Sequence, residues 1–202
     1  ASNRAWLNSA GSQDFASFLM GDTPIELLAY GDRPDAERAD RLAALVAGNL
    51  SLTWAYLPED PSSPDHVREL FDRQLRDQLD AGPPDFWIGE TFSYLGEALL
   101  FVERAKATGL PVMVTMSFEQ PVPRSYEGDT PAECARRLRD AGADIVGVNC
   151  LNGPEQQLPI ALEMRSAVGG FVAAQPVAYH TSSEQPDFTS TPSFPYALDP
   201  LQ

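Results

Sequence analysis

The stretch ADIVGVNC, residues 143–150, decides the fold. It is a short apolar run that ends on an asparagine and a cysteine, and this composition predicts a buried strand. The residues before it, 129–143, have a helical pattern in which Thr130 is the N-cap and Glu133 follows three residues later. A second helical pattern, 153–170, comes after it. A strand between two helices predicts a β-α unit of a parallel sheet.

The same alternation extends along most of the chain. Further strands are predicted at 84–92, 110–118 and 171–179, with helices at 64–82 and 93–109, and a helix over 37–52 leads into one more strand. Consecutive β-α units predict parallel strands joined by right-handed crossovers. Two architectures satisfy this pattern, an open doubly wound sheet and a (β/α)₈ barrel.

The ends of the predicted strands favour the barrel. No glycine-rich phosphate loop follows any of them, which lowers the case for a dinucleotide-binding sheet. Polar or reactive residues end four strands, and a barrel would gather them around one site: Glu90, Ser117, Cys150 and Gln175. We therefore predict an α/β chain with a TIM-type (β/α)₈ barrel. About five strands are recognisable, so the barrel is expected to be incomplete in this chain, with its first and last strands missing.

Composition limits the classes of partner. The formal net charge is −15, which argues against nucleic acid and anionic membrane as partners. No apolar run reaches the roughly 18 residues that a membrane-spanning helix requires. Two cysteines form no disulfide framework, so reduced thiols in a cytoplasmic protein are expected. We predict a single partial barrel domain over 1–202, in which residues 1–44 form a helical or loop segment with no clean period.

The residues alone leave the role of Cys150 open. A cysteine that closes a strand is often a small buried hydrophobe, and the alternatives are a nucleophile or a metal ligand. A nucleophile requires a nearby base, and the only histidines are His66 and His180. A zinc site requires two or three more ligands. Cys134 is an unsuitable one, because it lies in mid-helix in an apolar pattern and is predicted to be core.

Several phrases together resemble one family. They occur in the family's order and cover roughly residues 45–202: GETFSYLGEALLFVERAKATGLPVMVTMSF (89–118), GDTPAECARRLRDAG (128–142), AGADIVGVNC (141–150) and QPVAYHTSSEQPDFTSTPSFPYALDP (175–200). These phrases resemble the homocysteine S-methyltransferase family, and the last is similar to its betaine–homocysteine methyltransferase branch. The resemblance implies a (β/α)₈ barrel that transfers a methyl group to the thiol of homocysteine, with Zn²⁺ as cofactor.

The resemblance also implies roles for individual residues. Cys150 matches a zinc-ligand cysteine, and Asn149 matches the asparagine that precedes it. Glu90 matches an acidic residue that binds the ammonium of homocysteine, a charge-assisted contact. Thr91 is placed to bond the same substrate. The next strand and loop would shape the site through Gln175, Tyr179 and His180.

Two departures from the family keep alternatives open. The family's Gly-Gly-Cys-Cys and Asp-Gly-Gly segments are absent, so this chain supplies one family zinc ligand. Thr91 stands where the betaine branch has a tyrosine, although aromatic residues able to face a quaternary ammonium are present: Trp54, Tyr56, Phe92, Tyr94 and Tyr179. A betaine-like donor is favoured over S-methylmethionine or another donor.

Two further hypotheses stay open. One is a degenerate member that binds a ligand or partner without methyl transfer. The other is a different barrel enzyme, such as a lyase with Glu90 as general base. The expected partners are homocysteine and a small methyl donor, with a homo-oligomer also allowed.

Overall fold

The computed structural model of the protein describes residues 45–177. Its elements are, in chain order, β1 (Ala47–Ser51), α1 (Ser63–Ala81), β2 (Phe86–Phe92), α2 (Leu95–Lys106), β3 (Val112–Met116), α3 (Pro131–Asp140), β4 (Ile145–Asn149), α4 (Pro154–Ala167) and β5 (Phe171–Gln175). Each strand and helix predicted entirely within this range is confirmed, with shorter strands than the sequence pattern suggested. The helix predicted over 37–52 is wrong at its C-terminal end, because residues 47–51 form β1 and pair with β2. Residues 37–44, Tyr179 and His180 lie outside the described residues.

The five strands form one parallel sheet in the order β1-β2-β3-β4-β5. Each strand therefore pairs with the next one along the chain, from Ala47 opposite Phe86 at one edge to Asn149 opposite Gln175 at the other. A doubly wound sheet reverses its strand order at a switch point, and the described strands show no such reversal. The sequential order is the one that a barrel requires. Closure of an eight-stranded barrel stays a prediction.

All four helices pack on one face of this sheet. Alternate strand residues, among them Leu50, Trp87 and Val146, are buried on that face. They form a single apolar cluster with helix residues such as Phe71 of α1, Phe101 of α2, Leu138 of α3 and Met164 of α4. Burial of this surface is the main stabilising contribution, at about 25 cal/mol per Å².

Local sequence explains where α3 begins. Thr130 is the N-cap, and its hydroxyl accepts a hydrogen bond from the backbone N–H of Glu133 at 3.2 Å. The Glu133 carboxylate accepts in return from the Thr130 N–H at 2.8 Å. Pro131 begins the helix, where its missing N–H costs nothing. The predicted capping box is confirmed.

Among the described residues, no helix is both long enough and apolar enough to cross a bilayer.

The sheet curls toward the face that the helices leave uncovered. Side chains of β2 and β5 meet across that face, although two strands separate them in the sheet. Gly147 permits close approach of β4 and β5, since a Cβ atom there would lie 2.2 Å from the carbonyl oxygen of Ala173. The curvature brings together polar residues from separate strands at the carboxyl edge of the sheet.

Candidate functional site

Four strands contribute polar side chains to the concave face near their carboxyl ends. Asn49 lies in β1, Glu90 in β2, Asn149 in β4 and Gln175 in β5. Parallel strands end at the same edge, so these side chains occupy one region. Cys150 directly follows β4 and lies in the same region. The structure thus brings together five of the predicted site residues: Glu90, Thr91, Asn149, Cys150 and Gln175.

The Glu90 carboxylate is held by two neutral amides. Asn49 Nδ2 donates to Oε2 at 2.8 Å, and Gln175 Nε2 donates to Oε1 at 3.2 Å. No ion pair within residues 45–177 involves Glu90. Its charge is therefore oriented but not neutralised. A fixed carboxylate of this kind can accept charge-assisted hydrogen bonds from a cationic ligand.

Thr91 and Asn149 are linked by two hydrogen bonds. Asn149 Oδ1 accepts from the Thr91 backbone N–H at 2.9 Å, and Asn149 Nδ2 donates to the Thr91 hydroxyl at 2.8 Å. The buried amide thus uses its oxygen as an acceptor and its nitrogen as a donor, which fixes its orientation. Asn149 therefore joins the ends of β2 and β4 across the intervening strand.

A β-bulge shapes the end of β2. Gly89 pairs with Val114 and Phe92 with Met116, so one more residue lies between the pair on β2 than on β3. Thr91, within the bulge, has φ of 66°, a value that β-branched residues rarely adopt. Bulges next to active sites re-aim side chains. Here the bulge comprises Glu90 and Thr91.

Cys150 also has a left-handed backbone, with φ of 59°. Its N–H donates to the carbonyl oxygen of Gln175 at 3.0 Å. Its side chain is half-buried, and this burial raises the pKa of the thiol. The nearby charge of Glu90 raises the pKa further, while a hydrogen bond from the Leu151 backbone lowers it. The free thiol is consequently protonated at neutral pH.

Strained backbone concentrates at this edge of the sheet. The described residues other than glycine with positive φ are Trp54, Thr91, Cys150 and Leu151. All follow or end a strand at its carboxyl terminus. Such conformations cost roughly 1–3 kcal/mol each and cluster at functional sites. Their common location supports assignment of the site to this edge.

The second cysteine lies elsewhere. Cys134 is on α3, fully buried in the apolar cluster between helices and sheet. Burial raises the pKa of its thiol to about 12, with the charges of Asp129 and Glu127 contributing. The prediction that Cys134 belongs to the core is confirmed. Residues 45–177 contain no group of three or more His, Cys, Asp or Glu side chains placed to hold a metal ion. The described residues therefore do not contain a complete zinc site.

The predicted aromatic walls separate into different environments. Phe92 is fully buried in the core and does not face the site, because the bulge turns its ring toward the helices. Trp54 is 86% exposed. Tyr94 contacts Tyr56 and Tyr126, with ring centroids 5.5 and 5.2 Å apart.

Sequence reasoning missed two polar residues that support the site. Asn49 orients Glu90, and Gln157 donates to the Cys150 carbonyl oxygen at 2.7 Å. Asn49 could have been predicted, since it is a polar residue near the end of a strand. Gln157 could not, because it acts across a loop whose path the sequence does not reveal.

Comparison with known proteins identifies a family for this chain. The model of the family described as homocysteine S-methyltransferase matches residues 25–194. The bovine protein named betaine–homocysteine S-methyltransferase 1 is 40% identical over 172 residues, which cover 80% of this chain and 40% of that protein. The zebrafish (Danio rerio) protein of the same name is 40% identical over 174 residues, 81% of this chain and 41% of its own. The chain thus spans about two fifths of these relatives.

Solved structures share the fold. The apo form of the homocysteine methyltransferase MmuM from Escherichia coli superposes with a TM-score of 0.59 at 16% identity, over 74% of this chain and 54% of that one. Its metallated form gives 0.54 at 20% identity, over 70% and 51%. The family model covers most of the residues, and relatives exceed one third identity across four fifths of them. This chain belongs to the homocysteine S-methyltransferase family.

Proposed function

We propose that this chain is part of an enzyme that transfers a methyl group to the thiol of homocysteine, forming methionine, with Zn²⁺ as cofactor. One observation carries the proposal: Gln175 links the carboxylate of Glu90 to Cys150. Its side chain donates to Glu90, and its backbone carbonyl accepts from the Cys150 N–H. An anion suited to an amino-acid ammonium and a sulfur suited to a metal therefore occupy one small region.

Glu90 is assigned the ammonium of homocysteine. The two amides that contact it are neutral, so neither competes as a cation with the ammonium of the ligand. A charge-assisted hydrogen bond of this kind contributes about 1.5–3 kcal/mol. Thr91 and Asn149 lie beside Glu90 and limit the orientations that the amino acid can take. Tyr179 is assigned to the same substrate site from the family resemblance alone.

Cys150 is assigned as one zinc ligand. The described residues fit zinc to that extent only, and its other ligands must come from outside residues 45–177. Bound zinc supplies positive charge that lowers the pKa of a coordinated thiol. Burial and Glu90 raise the pKa of Cys150, so this side chain requires such a charge to become a thiolate at neutral pH.

We assign a betaine-like methyl donor and a cytoplasmic location. The similar bovine and zebrafish proteins carry betaine in their names, which supports a quaternary ammonium donor. Such donors bind over aromatic faces. Transfer from S-methylmethionine is the alternative, and a side-by-side assay of the two donors with the same enzyme separates them. Reducing conditions in the cytoplasm keep Cys150 available as a ligand.

A matched pair of cysteine variants tests the metal assignment. In the zinc-loaded whole protein, we expect Cys150→Ala to lose bound zinc and to lower the rate of homocysteine methylation by about 100-fold or more. Cys134→Ala changes a thiol in the core, and we expect it to keep both zinc and activity. Zinc is measured by elemental analysis and methionine by chromatography.

The same experiment discriminates the alternatives. A wild-type protein without zinc and without methyl transfer would support a degenerate family member. Activity that survives in Cys150→Ala but disappears in Glu90→Gln would instead support base chemistry at Glu90. Equal losses in Cys150→Ala and Cys134→Ala would refute the assignment of zinc to Cys150.

A further inference from the structure

The turn that follows β4 is strained at two consecutive residues. Cys150 has φ of 59° and Leu151 has φ of 56°. The Asn152 N–H donates to the Cys150 carbonyl oxygen at 2.6 Å, two residues back, which is the hydrogen bond of a γ-turn. Neither Cys150 nor Leu151 is a residue type that favours the left-handed region. An interaction from outside the turn is needed to hold it.

Gln157 supplies such an interaction. It lies in the first turn of α4, is 1% exposed, and its Nε2 donates to the same Cys150 carbonyl at 2.7 Å. The direction of this amide is fixed, since the reverse orientation would place Oε1 against another oxygen. Asn152 secures the next residue of the turn by donating from Nδ2 to the Phe118 carbonyl at 2.7 Å.

Stability alone does not account for these amides. The Oε1 atom of Gln157 and the Oδ1 atom of Asn152 are buried and have no hydrogen-bond partner within residues 45–177. A buried acceptor without a donor is destabilising. An aliphatic side chain at position 157 would avoid this cost but would release the Cys150 carbonyl. The geometry of the turn is what Gln157 preserves.

We propose that Gln157 is a positioning residue for Cys150, holding the strained turn so that the sulfur stays at the edge of the sheet. This inference deepens the proposed function, because that function makes Cys150 a metal ligand. The geometry itself requires neither metal nor substrate. A test on the thiol alone therefore stands even if the methyl-transfer proposal fails.

The test uses the two cysteines as internal reporters. Metal-free protein is treated with a maleimide, and the modification of each cysteine is followed by mass spectrometry. In Gln157→Met the turn loses its hydrogen-bond donor. We expect Cys150 to react about fivefold faster or more, which is the ratio that corresponds to the free energy of one net hydrogen bond. Cys134, buried in the core, is expected to stay unmodified, which shows that the fold is intact.

A matched control and a second variant complete the test. Gln78 Nε2 donates to the Asn49 carbonyl oxygen at 3.1 Å, so Gln78→Met removes a similar hydrogen bond away from the turn. In this control, the maleimide modification rates of Cys150 and Cys134 should stay within about twofold of the wild-type rates. Gln157→Leu also lacks the donor, adds no charge beside the thiol, and should accelerate Cys150 selectively. An unchanged Cys150 rate in folded variants, parallel acceleration of Cys134, or loss of folding in both Gln157 variants would overturn the proposal.

Discussion

Glu90 and Gln175 form a 3.2 Å hydrogen bond between β2 and β5, two strands that do not pair with each other. The bond exists because the sheet curls, and it joins the two ends of the candidate site. Its consequence is a carboxylate fixed in direction by amides from both sides, since Asn49 contacts the other oxygen. Ligand binding at this edge should therefore depend on the charge of Glu90 more than on its shape.

Substitution of Glu90 by glutamine tests that dependence. Glu90→Gln keeps the size of the side chain and removes the charge. We expect KM for homocysteine to rise by roughly 10–100-fold, with a smaller change in kcat, because a charge-assisted contact with the ammonium is lost. Steady-state kinetics of the whole enzyme provide the measurement. Glu59→Gln, at an exposed position, should leave KM unchanged, and an unchanged KM in Glu90→Gln would exclude the ammonium contact.

The pair of Thr91 and Asn149 leads to a prediction about stability. Asn149→Leu removes both hydrogen bonds and leaves the Thr91 N–H without its acceptor. We expect a loss of about 1–3 kcal/mol in the free energy of unfolding, measured with urea. Thr91→Val removes only the hydroxyl bond and should cost less. If Asn149→Leu is as stable as the wild type, the amide does not hold the two strand ends together.

Gly147 leads to a prediction about curvature. A Cβ atom at this position would lie 2.2 Å from the Ala173 carbonyl oxygen and 2.9 Å from its Cβ atom. Backbone must move to accommodate it, so Gly147→Ala should destabilise the protein by about 2 kcal/mol or more. Gly169→Ala is the control, because a Cβ atom there meets nothing within 4 Å. Equal thermal midpoints for the two variants would contradict the close approach of β4 and β5.

The sequence predicted the elements well because their signals are local. Thr130, Pro131 and Glu133 define the start of α3 within four residues, and apolar runs mark β3 and β4. Local signals also placed Glu90 and Cys150 at strand ends. What they did not reveal was the bulge at Thr91 and the left-handed backbone of Cys150. Threonine and cysteine disfavour those conformations, so only tertiary contacts determine them.

Supporting residues were missed for a related reason. Gln157 acts on Cys150 across seven positions, and Asn49 acts on Glu90 across 41. Neither spacing matches a helical or strand period. The contacts depend on the path of a loop and on the curl of the sheet, which no local pattern encodes. The residues that we propose for the chemistry were thus easier to predict than the residues that orient them.

Glu97 leads to a prediction about pH. This residue lies at the start of α2 and is 1% exposed, and its burial raises the pKa of its carboxyl group. Hydrogen bonds from the Thr53 N–H at 2.7 Å and the Thr53 hydroxyl at 2.6 Å lower the pKa, and the charge of Glu127 raises it. The pKa of Glu97 is higher in the folded state than in the unfolded state. The contribution of Glu97 to stability is therefore fully present at pH values below its unfolded pKa, and it is lost as the pH rises through its folded pKa. Glu97 therefore contributes less to stability at neutral pH than it does below its unfolded pKa.

Glu97→Gln isolates this effect, because Gln keeps the Oε1 acceptor that both Thr53 donors use and removes the charge. We expect the variant to have a higher free energy of unfolding than the wild type at pH 7, and the difference to shrink as pH falls toward 4. Urea titrations at several pH values provide the measurement. Glu133→Gln should show the opposite trend, since hydrogen bonds from the Thr130 backbone and side chain lower the pKa of Glu133. A difference between Glu97→Gln and wild type that is constant with pH would mean that Glu97 has the same pKa in the folded and unfolded states.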